Sequence, residues 1–479
     1  MAEVTVPIPL GTPVYKNVLG EELNDKGSST LIDGYVDELG AINARPGLAS
    51  FGGLGSSFST VVGLYWWGNK GYAVGATSSS VYKINLTSSL LQTTDLTGAT
   101  VVVGSNRPTF ATDGYYLYMA GGNGVQYTDG TSAFASMTLG DPGPTSATHV
   151  VYLDGYVLAN LQGSRRIFFS TPGNLGALPT WTSGDYFAAE VNPDFVNALL
   201  VKDQQLYIFG PSSLEIWEND GETPFSRIPG GAVESGTLAP YSPIATDEAI
   251  YWLDQDRHIV QWDSRAVKRI STPYDRVLKG MASVSDCRSD KIDIAGKTFL
   301  IFHFPAGNLT LCYNISEDSW SEWGAYSSRT MSYDRWRGNC YAYCPDWNLH
   351  LVGSARNQDV YQMSATHYTD VGEPIRVLKR TGHLSFGTSK TKRSRELRLR
   401  AARGKTSSTT TPSLMVRWRD DNAKWSQEKT LSLGKHGQTD LTLRLFRTGI
   451  FRTRQYEISA TDAVPIMFTE AEEDIEVLR

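Results

Sequence analysis

Arginine is concentrated in the last quarter of this sequence, and at several positions it alternates with apolar residues. The positions of interest are Arg398, Arg400, Arg417, Arg419, Arg444, Arg447, Arg452 and Arg454. Alternation places guanidinium groups on one face of a β-strand. A guanidinium group stays charged and pairs in bidentate fashion with carboxylate or phosphate. The spacing therefore predicts a docking surface for an anionic partner, either an acidic protein surface or the phosphates of DNA.

The charge around these arginines makes complete local neutralisation impossible. Residues 376–454 carry 20 Lys and Arg but only five Asp and Glu, a net charge of +15. Residues 1–375 carry a net −15, and residues 455–479 carry −6. Some positive surface must therefore remain. The alternative is a solvated or self-neutralised face, because the acidic end from Glu470 to Glu476 could fold back over part of it. No recognisable nucleic-acid-binding module is present.

No other residues have the spacing of a catalytic or metal site. The seven histidines form no His-Glu-x-x-His pair, and no Gly-x-Ser-x-Gly motif occurs. Asp254 and Asp256 fall in a predicted turn, where Asp stabilises the local backbone. Ser316–Trp320 is similar to the repeated turn of sialic-acid-cleaving propellers, but it lacks the Gly of that motif and occurs only once. We therefore expect no enzyme, no cofactor and no metal.

The cysteines and the apolar stretches limit the cellular compartments in which the protein is expected. Cys287, Cys312, Cys340 and Cys344 lack the spacing of zinc ligands, so we expect reduced thiols on or under strands. The first residues lack the basic and apolar regions of a signal peptide, which predicts assembly in the cytoplasm. No stretch approaches 18 uninterrupted apolar residues, so no membrane partner is expected.

The elements that position the arginines are predicted to be β-strands throughout. At least six stretches repeat one order: apolar strand, Gly/Asp/Asn turn, aromatic strand. Asp113-Gly114 and Asp154-Gly155 are two of the turns. Successive copies start about 40 to 50 residues apart, the length of one four-stranded propeller blade. We predict an all-β protein with a propeller body of six or seven blades. A pair of ordinary β-sandwiches is the alternative.

Composition divides the chain into three parts. Residues 1–55 are predicted to form an N-terminal arm, residues 56–373 the propeller, and residues 374–479 a smaller, basic C-terminal antiparallel β domain with an acidic end. In the last part, Leu397 and Leu399 face one side of a strand while Arg398 and Arg400 face the other. A small sandwich is expected there, with a polar loop at Gly404–Pro412. Pro273–Met281 is the best candidate for a short helix.

One segment resembles a known family. Leu206–Trp217 contains Phe209-Gly210, a Ser pair, Leu214-Glu215 and an aromatic two residues further on. It is similar to a segment of the tail-hub proteins of short-tailed bacteriophages, also called head-closure or packaged-DNA stabilisation proteins. The arm ending Arg45-Pro46-Gly47, the late stretch Phe302–Pro305, and the end from Arg447 to Ile466 resemble that family in the same order. The likeness spans nearly the whole chain.

The resemblance implies a non-enzymatic virion protein with a propeller body, present as a hexameric ring. In that family the ring attaches beneath the portal and its adaptor after packaging, helps close the DNA channel, and seats the tail needle and tailspike or tail fibre proteins. Contact with packaged DNA is a further possibility. Two alternative functions are considered. One is a cellular β-propeller that binds protein or glycan through exposed aromatics such as Trp66, Trp67, Trp336 and Trp347, and the other is a glycan-cleaving propeller.

Overall fold

The computed structural model describes residues 3–8, 10, 29–55, 59–87, 90–98, 107–137, 143–173, 176–192, 194–221, 225–401, 411–434, 438 and 442–478. Within these ranges the regular secondary structure is almost entirely β-strand. The exceptions are the helix Asp275–Gly280, inside the predicted Pro273–Met281, and two short 3-10 turns at Gly68–Lys70 and Pro345–Trp347. No helix in the described ranges has the length and apolar character needed to cross a membrane.

Seven four-stranded antiparallel units among the described residues form the blades of a propeller. Blade 1 comprises Val61–Trp67, Tyr72–Thr77, Val81–Thr87 and Leu90–Asp95. Blade 2 comprises Thr109–Thr112, Leu117–Ala120, Val125–Thr128 and Ala135–Ser136. Blade 3 comprises Val150–Leu153, Tyr156–Asn160, Arg166–Ser170 and Trp181–Ala188. Blade 4 comprises Ala198–Lys202, Gln205–Phe209, Leu214–Glu218 and Ser226–Val233.

The remaining three blades complete the circle. Blade 5 comprises Ile244–Ala245, Ile250–Leu253, Ile259–Trp262 and Val267–Arg269. Blade 6 comprises Arg288–Ile294, Lys297–Phe304, Leu309–Asn314 and Ser319–Glu322. Blade 7 comprises Gly338–Cys344, Leu349–Ser354, Asp359–Ser364 and a strand from the arm, Gly47–Gly53. The first strands of successive blades contact one another, and blade 7 contacts blade 1. The predicted propeller is confirmed, with seven blades among the described residues.

The predicted turns form because their residues adopt left-handed backbone angles or accept backbone N–H groups of the turn through a side chain. Asp154 and Gly155 have φ of 48° and 90°, as a two-residue hairpin turn requires. Asp113 instead accepts the backbone N–H groups of Tyr115 and Tyr116 through its carboxylate. Apolar residues between these turns fill the spaces between blades. Phe209 of blade 4, for example, packs edge-on against Trp252 of blade 5 with ring centroids 5.4 Å apart.

The arm closes the propeller at a position where only glycine fits. Gly47 begins the strand that pairs antiparallel with Asp359–Ser364. A Cβ atom on Gly47 would lie 2.5 Å from the carbonyl oxygen of His367 and 2.6 Å from that of Thr369. Such distances are closer than carbon and oxygen can approach, so the closing strand requires glycine at position 47. Thr369–Asp370 and Glu373–Pro374 extend the same sheet.

The C-terminal residues and the arm together form a β-sandwich beside blade 6. Its first sheet contains, in order, Gly34–Val36, Ile42–Ala44, Met467–Val477, Lys392–Ala401 and Thr442–Phe451, and Glu3–Pro7 also pairs with Met467–Val477. Its second sheet contains Thr30–Ile32, Val377–Arg380, Arg454–Ala460, Ser413–Asp420 and Lys429–Ser432. This sheet is continuous with blade 6, because Thr30–Ile32 pairs in parallel with Ser319–Glu322. The hairpin Gly324–Ser327 and Ser332–Arg335 follows blade 6. Three strands of the first sheet are named here the acidic strand (Met467–Val477), the inner arginine strand (Lys392–Ala401) and the edge strand (Thr442–Phe451).

The predicted alternation holds in this sandwich. Leu397, Leu399 and Val416 are buried in the core between the two sheets, whereas Arg398 and Arg400 face outward. Most of the predicted loop Gly404–Pro412 lies outside the described residues, as does Leu441, the first apolar residue of the stretch in which Leu441, Leu443 and Leu445 are predicted to face inward. The division into arm, propeller and C-terminal domain stays a prediction. The arm contributes strands to both the sandwich and blade 7.

Other side chains singled out in the sequence belong to the core. Trp67 and Trp336 are buried, and Trp66 packs edge-on against Trp347 with centroids 4.9 Å apart. The four cysteines are buried free thiols. Burial raises the pKa of Cys340 to about 12, so this thiol stays protonated at neutral pH.

Candidate docking surface on the C-terminal sandwich

The acidic strand neutralises the inner arginine strand. The two strands run antiparallel, with Arg398 opposite Glu472 and Arg400 opposite Glu470. Arg398 forms ion pairs with Asp474 and, at 3.2 Å, with Glu396. Arg400 lies 2.9 Å from Glu470. For these two arginines the structure therefore has the arrangement in which the acidic end folds back and covers the positive charge.

The second sheet carries arginines without a matching acidic strand. Arg380 and Arg417 flank the carboxylate of Glu457, with N–O distances of 2.6 Å on each side. Glu457 is only 1% exposed, so its negative charge is neutralised by these two arginines. Arg419 donates its Nε–H to the Gln455 side-chain oxygen at 2.7 Å, a neutral acceptor. Burial, together with the Arg380 guanidinium, lowers the pKa of Arg419 from its ordinary value.

Trp425 holds these three arginines together. Their guanidinium carbons lie 5.0 to 5.3 Å from the centre of its indole ring. Indole is the preferred aromatic partner of a cation, so the ring attracts all three guanidinium groups to one place on the surface. Arg380, Arg417, Arg419, Glu457 and Trp425 are named here the Trp425 cluster. With three cations and one carboxylate, it is a preorganised positive patch that can bind carboxylate or phosphate.

Arg454, one of the predicted docking residues, is placed inside the sandwich. Its side chain is 0% exposed and lies 2.6 Å from Asp420 and 2.9 Å from Glu473. Burial alone would lower the pKa of Arg454, but the Asp420 hydrogen bond and the Glu473 charge raise it. The guanidinium therefore ties the second sheet to the acidic strand, and it is not available to a partner.

The other three predicted arginines lie at or near the edge strand. Arg444 is 54% exposed and lies 3.4 Å from Glu396. Arg447 and Arg452 are exposed, and Arg447 has a left-handed φ of 54°. The sequence reasoning missed Arg380 and Trp425 because neither lies in a stretch where arginine alternates with apolar residues. The signal that could have found Trp425 is a lone aromatic in the polar segment 421–429.

A buried ion-pair triad fixes the sandwich to the propeller. Arg45 donates to Asp33 at 2.7 Å, to Asp370 at 2.5 and 3.0 Å, and to the carbonyl oxygens of Gly324 and Pro46. All three charged side chains are at most 4% exposed. Burial raises the pKa of Asp33 to about 6, although Arg45 opposes that shift. The triad joins the arm to blade 7 and to the hairpin after blade 6.

Glu215, the carboxylate of the Leu206–Trp217 segment, has a structural task. It is 1% exposed. One carboxylate oxygen accepts the backbone N–H groups of Glu190 and Val191 at 2.9 and 2.8 Å, and the other accepts the indole N–H of Trp217 at 3.0 Å. Glu215 therefore fastens the connection between blades 3 and 4.

Two polar groups in the propeller also have structural roles. Asp254 accepts the backbone N–H groups of Asp256 and His258, as predicted for a turn, and these three residues form the one potential metal-ligating group in the described ranges. A cavity of about 290 Å³ lies among the first strands and is lined in part by His149 and Arg107. His149 lies 3.0 Å from the carbonyl oxygen of Pro240. Burial lowers the pKa of His149 to about 4.

Comparison with known proteins adds one informative match. Residues 51–368 match the family model described as Phage_stabilise, bacteriophage P22 Gp10, beta-propeller. No curated protein matches the chain in sequence. The solved WD40 repeats of RRP9 cover 67% of this chain and 99% of their own, with 10% identity and a TM-score of 0.41. The extracellular domain of BT4673 from B. thetaiotaomicron covers 84% of this chain and 48% of its own, with 10% identity and a TM-score of 0.45. Both TM-scores are low, so the family match carries the assignment.

Proposed function

We propose that the chain is a tail hub that closes the head once DNA has been packaged, because it belongs to the phage stabilisation family of bacteriophage P22 Gp10. Membership of that family makes it a phage structural protein of the head-closure and stabilisation type, associated with the virion. It also favours a structural role over a cellular binding module or a glycan-cleaving enzyme, and we propose that the chain has no catalytic activity.

The observation that carries the docking part of the proposal is the Trp425 cluster. It presents three guanidinium groups against one buried carboxylate, on a sandwich that the Arg45 triad attaches to the propeller. A rigid body with a fixed positive patch suits a protein that works by assembly. We propose that the patch docks on an acidic surface of the portal-adaptor proteins and that other faces seat the tail needle and tailspike or tail fibre proteins. Contact between the patch and packaged DNA is the alternative use of the same chemistry.

The charge asymmetry supports self-assembly as a ring. Residues 1–375 carry −15 and residues 376–454 carry +15. A closed ring uses heterologous contacts, in which one surface of a copy meets a different surface of its neighbour. We propose a hexameric ring in which the basic sandwich of one copy faces the acidic propeller of the next. Because salt screens contacts between exposed charges, raised salt should weaken self-association or adaptor binding. Assembly that does not respond to salt would contradict this arrangement.

The test is assembly of DNA-filled particles with and without the protein, followed by electron microscopy and quantification of DNase-resistant DNA. Particles without the protein should fill, then lose DNA and lack tails. The Arg417→Gln/Arg419→Gln variant should behave in the same way, because it removes two of the three positive charges of the Trp425 cluster and leaves Glu457 paired with Arg380.

The matched control is Arg265→Gln/Lys268→Gln, which removes two exposed positive charges from blade 5. It should retain DNA and tails as the wild type does. Intact, DNA-retaining tailed particles formed without the protein would refute the hub. A wild-type result from the Arg417→Gln/Arg419→Gln variant would refute the docking role of the cluster and leave the hub standing.

A further inference from the structure

The edge strand exposes large apolar side chains. Phe446 is 63% exposed and Ile450 is 53% exposed, which places both among the most exposed large apolar residues in the described part of the chain. One side of this ten-residue strand pairs with the inner arginine strand, and no described strand pairs with its other side. Proteins commonly shorten, cover or charge such an edge, because its backbone groups are a template for another strand.

Across the first sheet, one acidic strand is followed by two arginine-bearing strands, the second of which forms this edge. The acidic strand neutralises the inner arginine strand, and the edge strand again carries arginine. Arg444 lies directly opposite Arg398, an unfavourable pairing of like charges. Glu396 lies 3.2 Å from Arg398 and 3.4 Å from Arg444, so one carboxylate serves both groups. An acidic strand added on the open side of the edge strand would give Arg444 a carboxylate that it does not share with Arg398.

A pocket of about 400 Å³ lies where the pairing of the two strands is interrupted. It is lined by Arg393, Ser394, Arg395, Arg447, Gly449 and Ile450. Glu476 lies 2.7 Å from Arg395 and 3.6 Å from Arg393. The pocket therefore brings three guanidinium groups together, two of them beside Glu476, and it has an apolar wall at Ile450. A carboxylate next to an aliphatic side chain matches that lining.

We propose that the edge strand binds an acidic, extended segment of a partner protein by strand addition. The backbone of the segment pairs with the edge, its carboxylates face Arg444 and Arg447, and its apolar side chains cover Phe446 and Ile450. The acidic strand, on the far side of the inner arginine strand, shows the same kind of pairing within this chain. This proposal concerns a different surface from the Trp425 cluster and does not depend on the hub function.

The probe is a fluorescent synthetic peptide with the sequence of residues 467–477, because that sequence already pairs with an arginine strand in this sheet. Its binding to the full chain is measured by fluorescence anisotropy at low salt. Arg444→Gln/Arg447→Asn and, separately, Phe446→Ser/Ile450→Thr should each weaken binding about tenfold or more, as expected for the loss of about 1.4 kcal/mol. Arg400→Gln, which removes one exposed positive charge from the inner arginine strand, is the control and should bind as the wild type does.

A second peptide distinguishes strand addition from simple charge attraction. Methylation of alternate backbone nitrogens on one edge of the peptide removes the donors that a new strand needs, without changing its charge. We expect binding to be lost. Equal binding of the methylated peptide, no binding of the first peptide, or unchanged binding by both edge variants would overturn the proposal. Self-association of the wild type that both edge variants abolish would also overturn it, because the occupant would then be a second copy.

Discussion

Replacement of Arg45 by methionine tests whether the buried triad holds the arm, the sandwich and blade 7 together. The change keeps most of the side-chain volume and removes all five N–H donors. In the wild type these donors meet Asp33, Asp370 and the carbonyl oxygens of Gly324 and Pro46. The Arg45→Met variant would leave two carboxylates, buried at 0% and 3% exposure, without their cation.

The expected loss in the free energy of unfolding is about 3 to 5 kcal/mol, the usual cost of removing one partner from a buried ion pair. Urea denaturation of Arg45→Met and wild type would measure it. Hydrogen exchange should show the largest increase in Gly47–Gly53, because that strand lies just after Arg45 in the chain and closes blade 7. The triple variant Arg45→Met/Asp33→Asn/Asp370→Asn should recover part of the loss, because it buries no uncompensated charge.

The pH dependence gives an independent check. The folded-state pKa of Asp33 is raised to about 6 from an ordinary value of 3.8, so the folded state binds the extra proton between these values. The contribution of this group to stability is therefore complete below pH 3.8 and is lost as the pH rises through about 6. Without Arg45 the pKa should rise further, so the variant's deficit should shrink from pH 8 to pH 5. A loss below about 1 kcal/mol, typical of an exposed ion pair, or a deficit independent of pH, would refute the reasoning.

Three further predictions concern single side chains in the propeller. Glu215→Ala should lower the free energy of unfolding by about 3 kcal/mol in urea denaturation, because three N–H groups lose a buried, charged acceptor and each loss costs about 1 kcal/mol or more. A loss within about 0.5 kcal/mol, as at a neutral surface site, would contradict this. The pKa of His149 is lowered from 6.5 to about 4, so its contribution is complete above pH 6.5 and is lost as the pH falls toward 4. That shift corresponds to about 3 kcal/mol, and His149→Gln should flatten the slope of stability against pH between 6.5 and 4; an unchanged slope would exclude His149 as its source. Gly47→Ala should lower the free energy of unfolding by about 1 to 3 kcal/mol, because its Cβ would lie 2.5 Å from a carbonyl oxygen. Gly40→Ala is the control: its Cβ would have no atom within 4 Å, but its φ is 76°, so this variant reports backbone strain without steric overlap.

The sequence reasoning predicts the elements that depend on neighbouring residues. Asp154-Gly155 specifies a hairpin turn because Gly takes positive φ without a steric cost, and the flanking apolar residues then pair. Leu397 and Leu399 identify the buried face of a strand because side chains alternate with period two. These signals need only a few consecutive residues, and they were enough to predict the propeller, the arginine-bearing faces and the turn role of Asp254.

The remaining features depend on residues that are far apart in the chain. The strand Gly47–Gly53 completes blade 7 through pairing with Asp359–Ser364, which lies at the other end of the propeller sequence. No local pattern predicts such a partner, and the need for glycine at position 47 is explained only by its contact with the distant backbone at His367 and Thr369. Trp425 likewise gathers arginines from two strands that lie apart in sequence, Arg380 on one and Arg417 and Arg419 on the other. Alternation identified two of these arginines as outward-facing, but not the ring that positions them.

The two faces of the sandwich show that net charge alone does not identify a docking surface. The inner arginine strand belongs to the most basic part of the sequence, yet the acidic strand pairs with it residue by residue. On the second sheet, Glu457 is shared by two arginines and Arg419 has only an amide oxygen. An incoming carboxylate would gain little at Arg398, because it would have to displace Asp474. At Arg419 it would replace a neutral acceptor with a charged one, which strengthens a hydrogen bond. The favourable position for a partner is therefore where the chain's own acids are fewest, and in the described sandwich these positions are the Trp425 cluster and the edge strand.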